Sequence, residues 1–369
     1  MSFDIGPCRA QIAQICVPSS TSRCWAAKMW APMDTPPPRE LGDGVLRHAV
    51  VDTWGLPADR VRYVPKGAGS YHWVATAAGT PTAFLTVDDL DAKPWIAGDR
   101  DAVFRGLDAA YGAAWALQHQ GGIAFAVAPL PSRSESVVLR LSAQYSLAVF
   151  PFVEGTPGTW GDPLGPAVRD ALTRQLAALH SALAPAELGL SRLPYAVPER
   201  PALMEALDQL ESTWEAGPLS EPARQAVAAH AADVTGWLGE LDALADRLRQ
   251  SGVDPVVTHG EPHPGNLIHT DAGLRLVDWD TVALAPPERD LWMLDDGTQG
   301  CLGRYEEFAG KTVSEPAMRF YRLAWTLSDI ASFVEMFRSP HKQTQWLGRK
   351  FTGLQRLLAG QSSAPYSRP

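Results

Sequence analysis

The residue types with the clearest capacity for chemistry lie in one short segment of the C-terminal half. This segment runs His259-Gly260-Glu261-Pro262-His263-Pro264-Gly265-Asn266, and Asp278 follows twelve residues after Asn266. Carboxylate and amide oxygens are the ligands that Mg²⁺ prefers in proteins. Asn266 and Asp278 are therefore candidate ligands for a divalent cation, provided that the intervening chain brings them together.

The intervening residues predict a hairpin that does bring them together. Residues 266–269 form a short apolar-rich run, residues 270–273 are turn formers that end in Gly273, and residues 274–277 alternate. This pattern is typical of two antiparallel strands joined by a turn in which glycine adopts a positive φ. If residues 269 and 274 pair, residue 266 lies opposite residue 277 and beside Asp278. The prolines of the preceding loop would hold Glu261 near the same point. A polar turn followed by an ordinary strand is the alternative.

The segment resembles the catalytic loop of the aminoglycoside phosphotransferase family, whose fold is similar to that of eukaryotic protein kinases. In such loops an Asp acts as base, an Asn binds Mg²⁺, and a second metal-binding Asp follows on the next strand. The resemblance implies that Glu261 takes the base position, although this kind of loop normally carries Asp there. It also implies that Asn266 and Asp278 bind Mg²⁺ and that ATP is the phosphoryl donor.

Residues 283–292, Ala-Leu-Ala-Pro-Pro-Glu-Arg-Asp-Leu-Trp, extend the resemblance and look most like the spectinomycin-type branch of the family. By this resemblance Asp290 is a buried structural acid that braces the catalytic loop. His259 is counted with Glu261 among the catalytic-site residues. Its expected role is to brace the loop through hydrogen bonds, and a direct role in the chemistry is the alternative.

The resemblance covers roughly residues 41–358. It implies an α+β, protein-kinase-like fold of two lobes, one small and built on an antiparallel sheet, the other larger and mainly helical. The sequence pattern agrees with this order. A helix is expected at 41–55, strands at 61–65, 71–77, 82–87, 137–141 and 146–150, and further helices at 101–119, 166–184, 201–215, 221–250, 288–295, 316–338 and 343–359.

These elements predict a nucleotide-binding β-lobe at 41–150 and a helical catalytic and substrate lobe at 151–358. Residues 1–40 are expected to be a disordered leader, within which Met33 is a plausible start, and residues 359–369 a loose tail. The acceptor is expected between the catalytic hairpin and the helices at 201–250 and 316–338. In the latter helix Trp325, Asp329 and Glu335 are candidates to face it, although ordinary helix packing explains the Trp equally well.

The nucleotide-binding half departs from the pattern that the resemblance implies. Gly67, Gly69 and Ser70 form a turn between the first two strands that could approach phosphates closely, and an ordinary hairpin turn is the alternative. Thr86 occupies the position on the third strand where a phosphate-binding lysine is expected, and the helix at 101–119 contains no Glu to pair with it.

Replacement cations are scarce, because the chain has 26 arginines and only 6 lysines. Lys66, at the edge of the glycine turn, is the best-placed substitute, and Lys93, beyond the third strand, is a weaker candidate. Phe152, in the segment 151–155 that is expected to connect the lobes, completes the set of predicted nucleotide-binding residues. Asp280 could help to order the metal site, and a surface acid is the equal alternative.

Composition excludes several other classes of protein. The balance of 32 basic and 41 acidic residues gives a net charge of −9, which argues against non-specific nucleic-acid binding and is compatible with a cationic substrate. No apolar run is long enough to span a bilayer, so no membrane partner is expected. Three of the four cysteines fall in the first 24 residues. A disulfide framework is therefore implausible, and a reducing cytoplasm is the simplest setting.

The sequence thus favours an ATP- and Mg²⁺-dependent phosphotransferase. Its acceptor would be a hydroxyl of a small polar molecule, such as an aminoglycoside or aminocyclitol antibiotic or a sugar-like metabolite. The alternative is a non-catalytic, kinase-like protein that binds a nucleotide or a partner, which would explain Thr86 and Glu261 directly. A hydrolytic transition-metal cluster of His259, Glu261, His263 and His269 is a third interpretation, but this spacing does not resemble helical His-x3-His ligands.

Overall fold

A five-stranded antiparallel sheet follows helix α1 (Asp43–Ala49). The structure is a computed structural model that describes residues 37–65, 70–93, 95–182, 188–295, 297–298 and 300–361. Helix α1 continues through one π-helical turn (Val50–Trp54). The strands are β1 (Arg60–Val64), β2 (Ser70–Ala77), β3 (Thr80–Asp89), β4 (Leu139–Arg140) and β5 (Tyr145–Phe150), in the order β1-β2-β3-β5-β4.

Helix α2 (Arg100–His119) connects β3 to the last two strands and packs on one face of the sheet. It begins at Asp99, whose side chain accepts a hydrogen bond from the Ala102 N–H, as an N-cap should. Its apolar face buries Leu107 and Tyr111 against Phe150 of the sheet and Val127. The other face of the sheet packs on Leu46, Val50 and Trp54, the face of the first helix that the sequence predicts to be apolar.

The remainder of the chain is mainly helical. The helices are α3 (Pro166–His180), α4 (Arg200–Asp208), α5 (Ser220–Ala229), α6 (Ala231–Ser251), α7 (Glu288–Leu291), α8 (Gly300–Ala309), α9 (Glu315–Arg338) and α10 (Gln345–Leu358). Helix α9 packs against α4, α5, α6, α7 and α10. The predicted α+β arrangement, an antiparallel sheet followed by a helical part, is therefore confirmed.

Two small antiparallel sheets lie within this helical part. Strand β7 (Val256–Thr258) pairs with β10 (Ala283–Ala285), and β6 (Thr156–Pro157), β8 (Leu267–Thr270) and β9 (Gly273–Leu276) form the other sheet. The segment 259–266 leaves β7 and enters β8, so both small sheets hold the loop that carries Glu261.

Some helix predictions need correction. The helix predicted at 221–250 is two helices, because the backbone at His230 leaves the helical region (φ −120°, ψ 15°). The helix predicted at 201–215 ends at Asp208, and the one at 288–295 ends at Leu291. Helix α8 was not predicted, since it begins at a glycine and contains another. Its buried Cys301, Leu302 and Tyr305 nevertheless pack it against α3.

Several predictions lie outside the described residues. These are the leader up to residue 36, including Met33, the turn residues Lys66, Gly67 and Gly69, and most of the tail. Of the helices that the structure does describe, none is both long and apolar enough to cross a membrane.

Candidate active site

The predicted hairpin is confirmed, with the predicted register. His269 pairs with Leu274 across the turn, and Gly273 has a φ of 106°. The Val277 N–H donates to the Asn266 carbonyl over 3.0 Å, so these two residues face each other at the open end of the hairpin. Asn266 and Asp278 therefore lie at adjacent strand ends, as the sequence indicates.

The two candidate metal ligands present their oxygens differently. Asn266 is buried, and its Nδ2 donates to the Glu261 carbonyl over 2.9 Å, which leaves its Oδ1 as the side-chain oxygen for a cation. Asp278 is exposed and adopts a left-handed conformation (φ 67°, ψ 64°) that is uncommon outside glycine. One amide oxygen and one solvent-accessible carboxylate form a donor set that fits Mg²⁺, which usually keeps several waters.

His259 ties the two halves of the site together. Its Nε2 donates to the Val277 carbonyl over 2.9 Å, and its Nδ1 accepts from the Glu261 N–H over 3.2 Å. These two bonds require the neutral ring, protonated on Nε2. Burial, the largest influence, lowers the pKa of His259 to about 4, which favours the same state. The geometry supports the bracing role expected for His259.

Asp290 braces the same loop from below. Its Oδ2 accepts from the His259 N–H (2.8 Å) and from His180 Nε2 (3.1 Å), and its Oδ1 accepts from the Gly260 N–H (2.6 Å). Burial alone would raise the pKa of Asp290, but the His180 hydrogen bond and the Arg289 charge together hold that pKa below its ordinary value. This is the geometry expected of the buried structural acid.

The Arg289 side chain packs directly against Gly260. Its guanidinium donates to the Thr258 hydroxyl (2.8 Å) and to the Thr281 carbonyl (2.9 Å), which links β7 to the turn after Asp278. Gly260 has a φ of 97°, and a Cβ atom there would collide with this guanidinium. Glycine is therefore required at 260 both by conformation and by space.

The segment around β6 supports the loop from the opposite side. The Gly158 N–H donates to the Leu267 carbonyl over 2.9 Å, and a Cβ atom at Gly158 would overlap the Pro264 carbonyl. Gly155 approaches the His269 carbonyl just as closely. Strand β6 thus lies directly against the loop and the hairpin.

The Glu261 carboxylate lies beside a histidine ring that leads to a group of tryptophans. Its Oε2 lies 3.8 Å from His263 Nε2, and the His263 and Trp160 rings are perpendicular, with 4.4 Å between their centroids. Trp160 stacks in turn on Trp325 of α9 at 6.0 Å, and Trp292 lies 5.5 Å from Trp325. Trp325 is therefore the middle member of a row of three tryptophans, and its role toward an acceptor stays a prediction.

The predicted nucleotide-binding residues are only partly described. Lys66, Gly67 and Gly69 lie outside the described residues. The Ser70 hydroxyl donates to Asp88 Oδ1 over 2.7 Å, so it is held by the sheet. Thr86 lies 3.2 Å from the His72 ring nitrogen on the neighbouring strand. Phe152 is half-buried directly after β5.

A buried lysine, Lys93, nevertheless lies shortly after the third strand. Lys93 Nζ lies 2.7 Å from Asp280 Oδ2 and 3.0 Å from Asp88 Oδ1, and its side chain is 1% exposed. Asp280 is buried as well, so the alternative of a surface acid was wrong. Sequence reasoning ranked Lys93 low, because its partner Asp280 is 187 residues away along the chain, and it also missed the nearby partner Asp88. The one available signal was Asp88 itself, two residues after Thr86 and thus on the same strand face.

The described part of the chain contains no group of three or more His, Cys, Asp and Glu side chains arranged to hold a metal ion. The hydrolytic transition-metal site would require His259, Glu261, His263 and His269 to converge. His259 instead directs both ring nitrogens to the backbone of the loop and hairpin, and His269 is exposed on β8.

Comparison with known proteins agrees with this geometry. The sequence model of the family described as "Phosphotransferase enzyme family" matches residues 126–322, more than half of the chain. Protein StrN of Streptomyces griseus is 30% identical over 240 residues, which cover 61% of this chain and 69% of StrN.

Similar folds occur among solved structures. Spectinomycin phosphotransferase APH(9)-Ia, in complex with ADP and spectinomycin, has a TM-score of 0.65 and 16% identity, covering 86% of this chain and 97% of that one. The GDP and kanamycin complex of APH(2")-IIia has a TM-score of 0.54 and 14% identity, covering 84% of this chain and 97% of that one. At these identities the likeness establishes the two-lobed, kinase-like fold.

Proposed function

Because the chain belongs to the phosphotransferase enzyme family, we propose that it transfers the terminal phosphoryl group of ATP, with Mg²⁺, to a hydroxyl of a small polar molecule. The acceptor class that we propose is an aminocyclitol or amino sugar, or a sugar-like metabolite of similar polarity. Residues 41–150 would bind the nucleotide, and residues 151–358 would hold the catalytic hairpin and the acceptor.

One observation carries the proposal. Asn266 and Asp278 lie at adjacent ends of one hairpin, and the Asn266 side chain is bonded to the backbone of Glu261. The candidate cation site and the Glu261 backbone are thereby held together by two hydrogen bonds, Val277 N–H to the Asn266 carbonyl and Asn266 Nδ2 to the Glu261 carbonyl. Phosphoryl transfer requires this combination, since positioning and electrostatic stabilisation supply most of its catalysis.

The side chains suggest the following roles. Asn266 and Asp278 would hold Mg²⁺, which when bound neutralises charge on the transferring phosphates. Glu261 would orient the acceptor hydroxyl and take its proton as the new P–O bond forms and the bond to the β-phosphate oxygen breaks, releasing ADP. His259, Asp290 and Arg289 would keep the loop in place without contacting the substrates.

Glu261 in place of Asp is compatible with this role. A glutamate is longer by one methylene, about 1.5 Å, so the acceptor hydroxyl would sit correspondingly further from the loop. Help from a general base is typically worth about 10²–10⁴ in rate. A displaced but functional carboxylate would keep much of that contribution.

The nature of the two substrates is supported by the neighbours in structure. APH(9)-Ia was solved with ADP and spectinomycin, and APH(2")-IIia with GDP and kanamycin. Trp160 and Trp325, which are both half-buried, would supply one wall of the acceptor site, and tryptophan faces attract cationic groups. The net charge of −9 is compatible with a cationic acceptor.

The direct test is the release of ADP from ATP and Mg²⁺ in the presence of a panel of aminocyclitols and amino sugars. Glu261→Gln is the matched control, because it keeps the shape of the side chain and removes its capacity to accept a proton. We expect acceptor-dependent ADP release that falls by at least about a hundredfold in this variant.

Two outcomes would contradict the proposal. Equal rates for the wild type and Glu261→Gln across the whole panel would remove the catalytic role of Glu261. Weak ATP binding that is independent of Mg²⁺, together with no turnover of any acceptor, would instead support the non-catalytic alternative.

A further inference from the structure

We propose that Lys93, Asp88 and Asp280 form an ionic clasp that positions the turn after Asp278 against the five-stranded sheet. In this protein the clasp takes the place of an ion pair between a strand lysine and a helix glutamate, both of which are absent from their expected positions. Lys93 is thus a positioning residue. The catalytic consequence of the clasp rests on the proposed function, whereas its existence does not.

The clasp joins two parts of the molecule that are far apart in sequence. Asp88 lies near the end of β3, and Lys93 follows the short 3-10 turn after that strand. Asp280 lies in the 3-10 turn Trp279–Thr281, directly after Asp278. The ammonium group lies 3.0 Å from Asp88 and 2.7 Å from Asp280, so one cation bridges the sheet and the catalytic turn.

A helix contributes to the clasp through a tyrosine. The Tyr111 hydroxyl donates to Asp88 Oδ2 over 3.0 Å, and the Ser70 hydroxyl donates to Asp88 Oδ1 over 2.7 Å. Tyr111 belongs to α2, which packs against the turn 279–281. In the expected arrangement, a glutamate on this helix would pair with the lysine. Here the helix contributes only the neutral hydroxyl of Tyr111, and the carboxylate that pairs with Lys93 comes from Asp88 on β3.

Burial determines what Lys93 can do. The side chains of Lys93, Asp88 and Asp280 are 1%, 0% and 2% exposed, and the Trp95 ring centroid lies 5.4 Å from the ammonium. Charges so deeply buried are tolerated only when they are paired and hydrogen-bonded. With two carboxylates already bound and only 1% of its side chain exposed, Lys93 offers almost no surface that a phosphate could approach. The geometry therefore favours a fixed ion pair over a phosphate contact.

The clasp acts on the site through a short connection. Only Trp279 separates Asp280 from Asp278, and the Trp279 ring is buried with its Nε1 donating to the Leu276 carbonyl. On the far side, the Thr281 hydroxyl donates to the His259 carbonyl over 2.7 Å. Asp278 is thus followed directly by residues that are held in place on both sides. Loss of the clasp should loosen Asp278 and weaken the cation site.

The first test measures coupling between the partners in the protein without nucleotide or metal. Urea unfolding would be followed for Lys93→Met, Asp280→Asn and the double variant. Breaking a buried pair from one side should raise the unfolding equilibrium constant on the order of a hundredfold. Because the partners act together, the double variant should be far more stable than the sum of the single effects predicts.

Lys350→Met is the matched control. Lys350 is also a buried lysine, placed beside the rings of Phe333 and Trp346 in the contact between α9 and α10. Its replacement, combined with Asp280→Asn, should give additive effects. If Lys93→Met does not fold, Asp280→Asn alone still tests the clasp, because amide exchange at 279–281 should then accelerate relative to Lys350→Met.

The second test asks whether the clasp serves the cation site. For Asp280→Asn we expect about a tenfold rise in the Mg²⁺ concentration that gives half-maximal turnover, with KM for the acceptor unchanged. Additive unfolding effects of Lys93→Met and Asp280→Asn would overturn the clasp. The clasp would also be overturned if Lys93→Met has normal stability but loses ADP affinity equally with and without Mg²⁺, since Lys93 would then contact phosphate.

Absence of turnover in the wild type would refute the proposed function. The comparison of unfolding in the single and double variants would still decide the clasp.

Discussion

Replacement of the exposed Asp278 should affect activity without affecting the stability of the protein. Asp278→Asn removes the charge, and Asn tolerates the left-handed backbone at this position as well as Asp does. If Asp278 binds Mg²⁺ as proposed, we expect kcat/KM to fall by at least about a hundredfold through loss of this ligand. The free energy of unfolding should stay within about 0.5 kcal/mol of the wild type, because the side chain is exposed. Steady-state kinetics and urea unfolding on the same preparations check both statements.

A change of less than threefold in kcat/KM would show that Asp278 is not a metal ligand. Asp271→Asn is a suitable control for the loss of a surface charge, since Asp271 is exposed in the turn of the same hairpin. Asp271→Asn should change neither kcat/KM nor the free energy of unfolding.

His72 should make stability depend on pH. Burial, and next the Lys93 charge, lower the pKa of His72 to about 4, whereas the unfolded value is near 6.5. Between these values the unfolded chain binds more protons, so the free energy of unfolding rises with pH and levels off above about 6.5. The rise would amount to at most about 3 kcal/mol.

Urea unfolding of the wild type and His72→Asn between pH 4.5 and 7.5 would isolate this contribution, because all other titrating groups are shared. The groups around His72 are Lys93, Asp280 and Thr86. The variant should have a shallower pH dependence, and parallel curves would refute the assignment.

At the residue scale, the sequence correctly predicted contacts between residues that are close together along the chain. Asn266 and Asp278 could be placed side by side because the hairpin between them has a period of two and a glycine at the turn. Lys93 could not be placed correctly, because its neighbour Asp280 comes from a distant turn. The roles of Glu261 and His259 in catalysis remain predictions.

At the scale of elements, the loop 259–266 should be less tolerant of change than the hairpin turn. Gly260 and Gly273 both have a φ near +100°, but only at Gly260 would a Cβ atom meet a side chain, that of Arg289. We expect Gly273→Ala to cost about 1–2 kcal/mol through backbone strain. Gly260→Ala should cost about 3–5 kcal/mol, because it also displaces a buried guanidinium.

Urea unfolding of the two variants measures the difference directly. Equal costs would show that the Arg289 side chain moves aside freely. Activity should be lost in Gly260→Ala even where the protein remains folded, since the Gly260 N–H is one of the bonds that hold the loop on Asp290.

Elements with strong local patterns were predicted well, and those that depend on tertiary packing were not. Strand β3 follows from the mostly apolar run at 83–87, and helix α2 follows from an alanine-rich run ended by polar residues. Helix α8 has two glycines in its first turn, so its propensity is low, and packing against α3 stabilises it. The break at His230 divides an apolar pattern that is continuous in sequence, and periodicity alone does not reveal it.

At the scale of the whole molecule, a ligand that binds both lobes should stabilise the native state. With ATP analogue and Mg²⁺ at a hundred times the dissociation constant, the free energy of unfolding should rise by about 2.7 kcal/mol. Thermal unfolding monitors this as an increase in Tm. The increase should require Mg²⁺ and should be much smaller in Asp278→Asn. A Mg²⁺-independent increase of equal size in both proteins would support the non-catalytic alternative.

The two-lobed architecture was predictable because composition, element order and the catalytic segment agree with one another. The boundary between lobes at residue 150 remains a prediction, as do the roles of Lys66, Gly67, Gly69 and Phe152 toward the nucleotide. The location of the acceptor remains a prediction. The row of tryptophans could not be predicted, because it combines residues 160, 292 and 325 from three separate segments and no local pattern connects them.

The enclosure of Lys93 has a practical consequence for chemical proteomics. Nucleotide acyl phosphates label kinases by acylating a lysine amine that touches the phosphates, and the reaction needs a deprotonated, accessible amine. An ammonium held between two carboxylates and shielded by a tryptophan offers neither. Such reagents should leave this residue unmodified in the native protein, so any lysine that they do label would be a different one, such as Lys66.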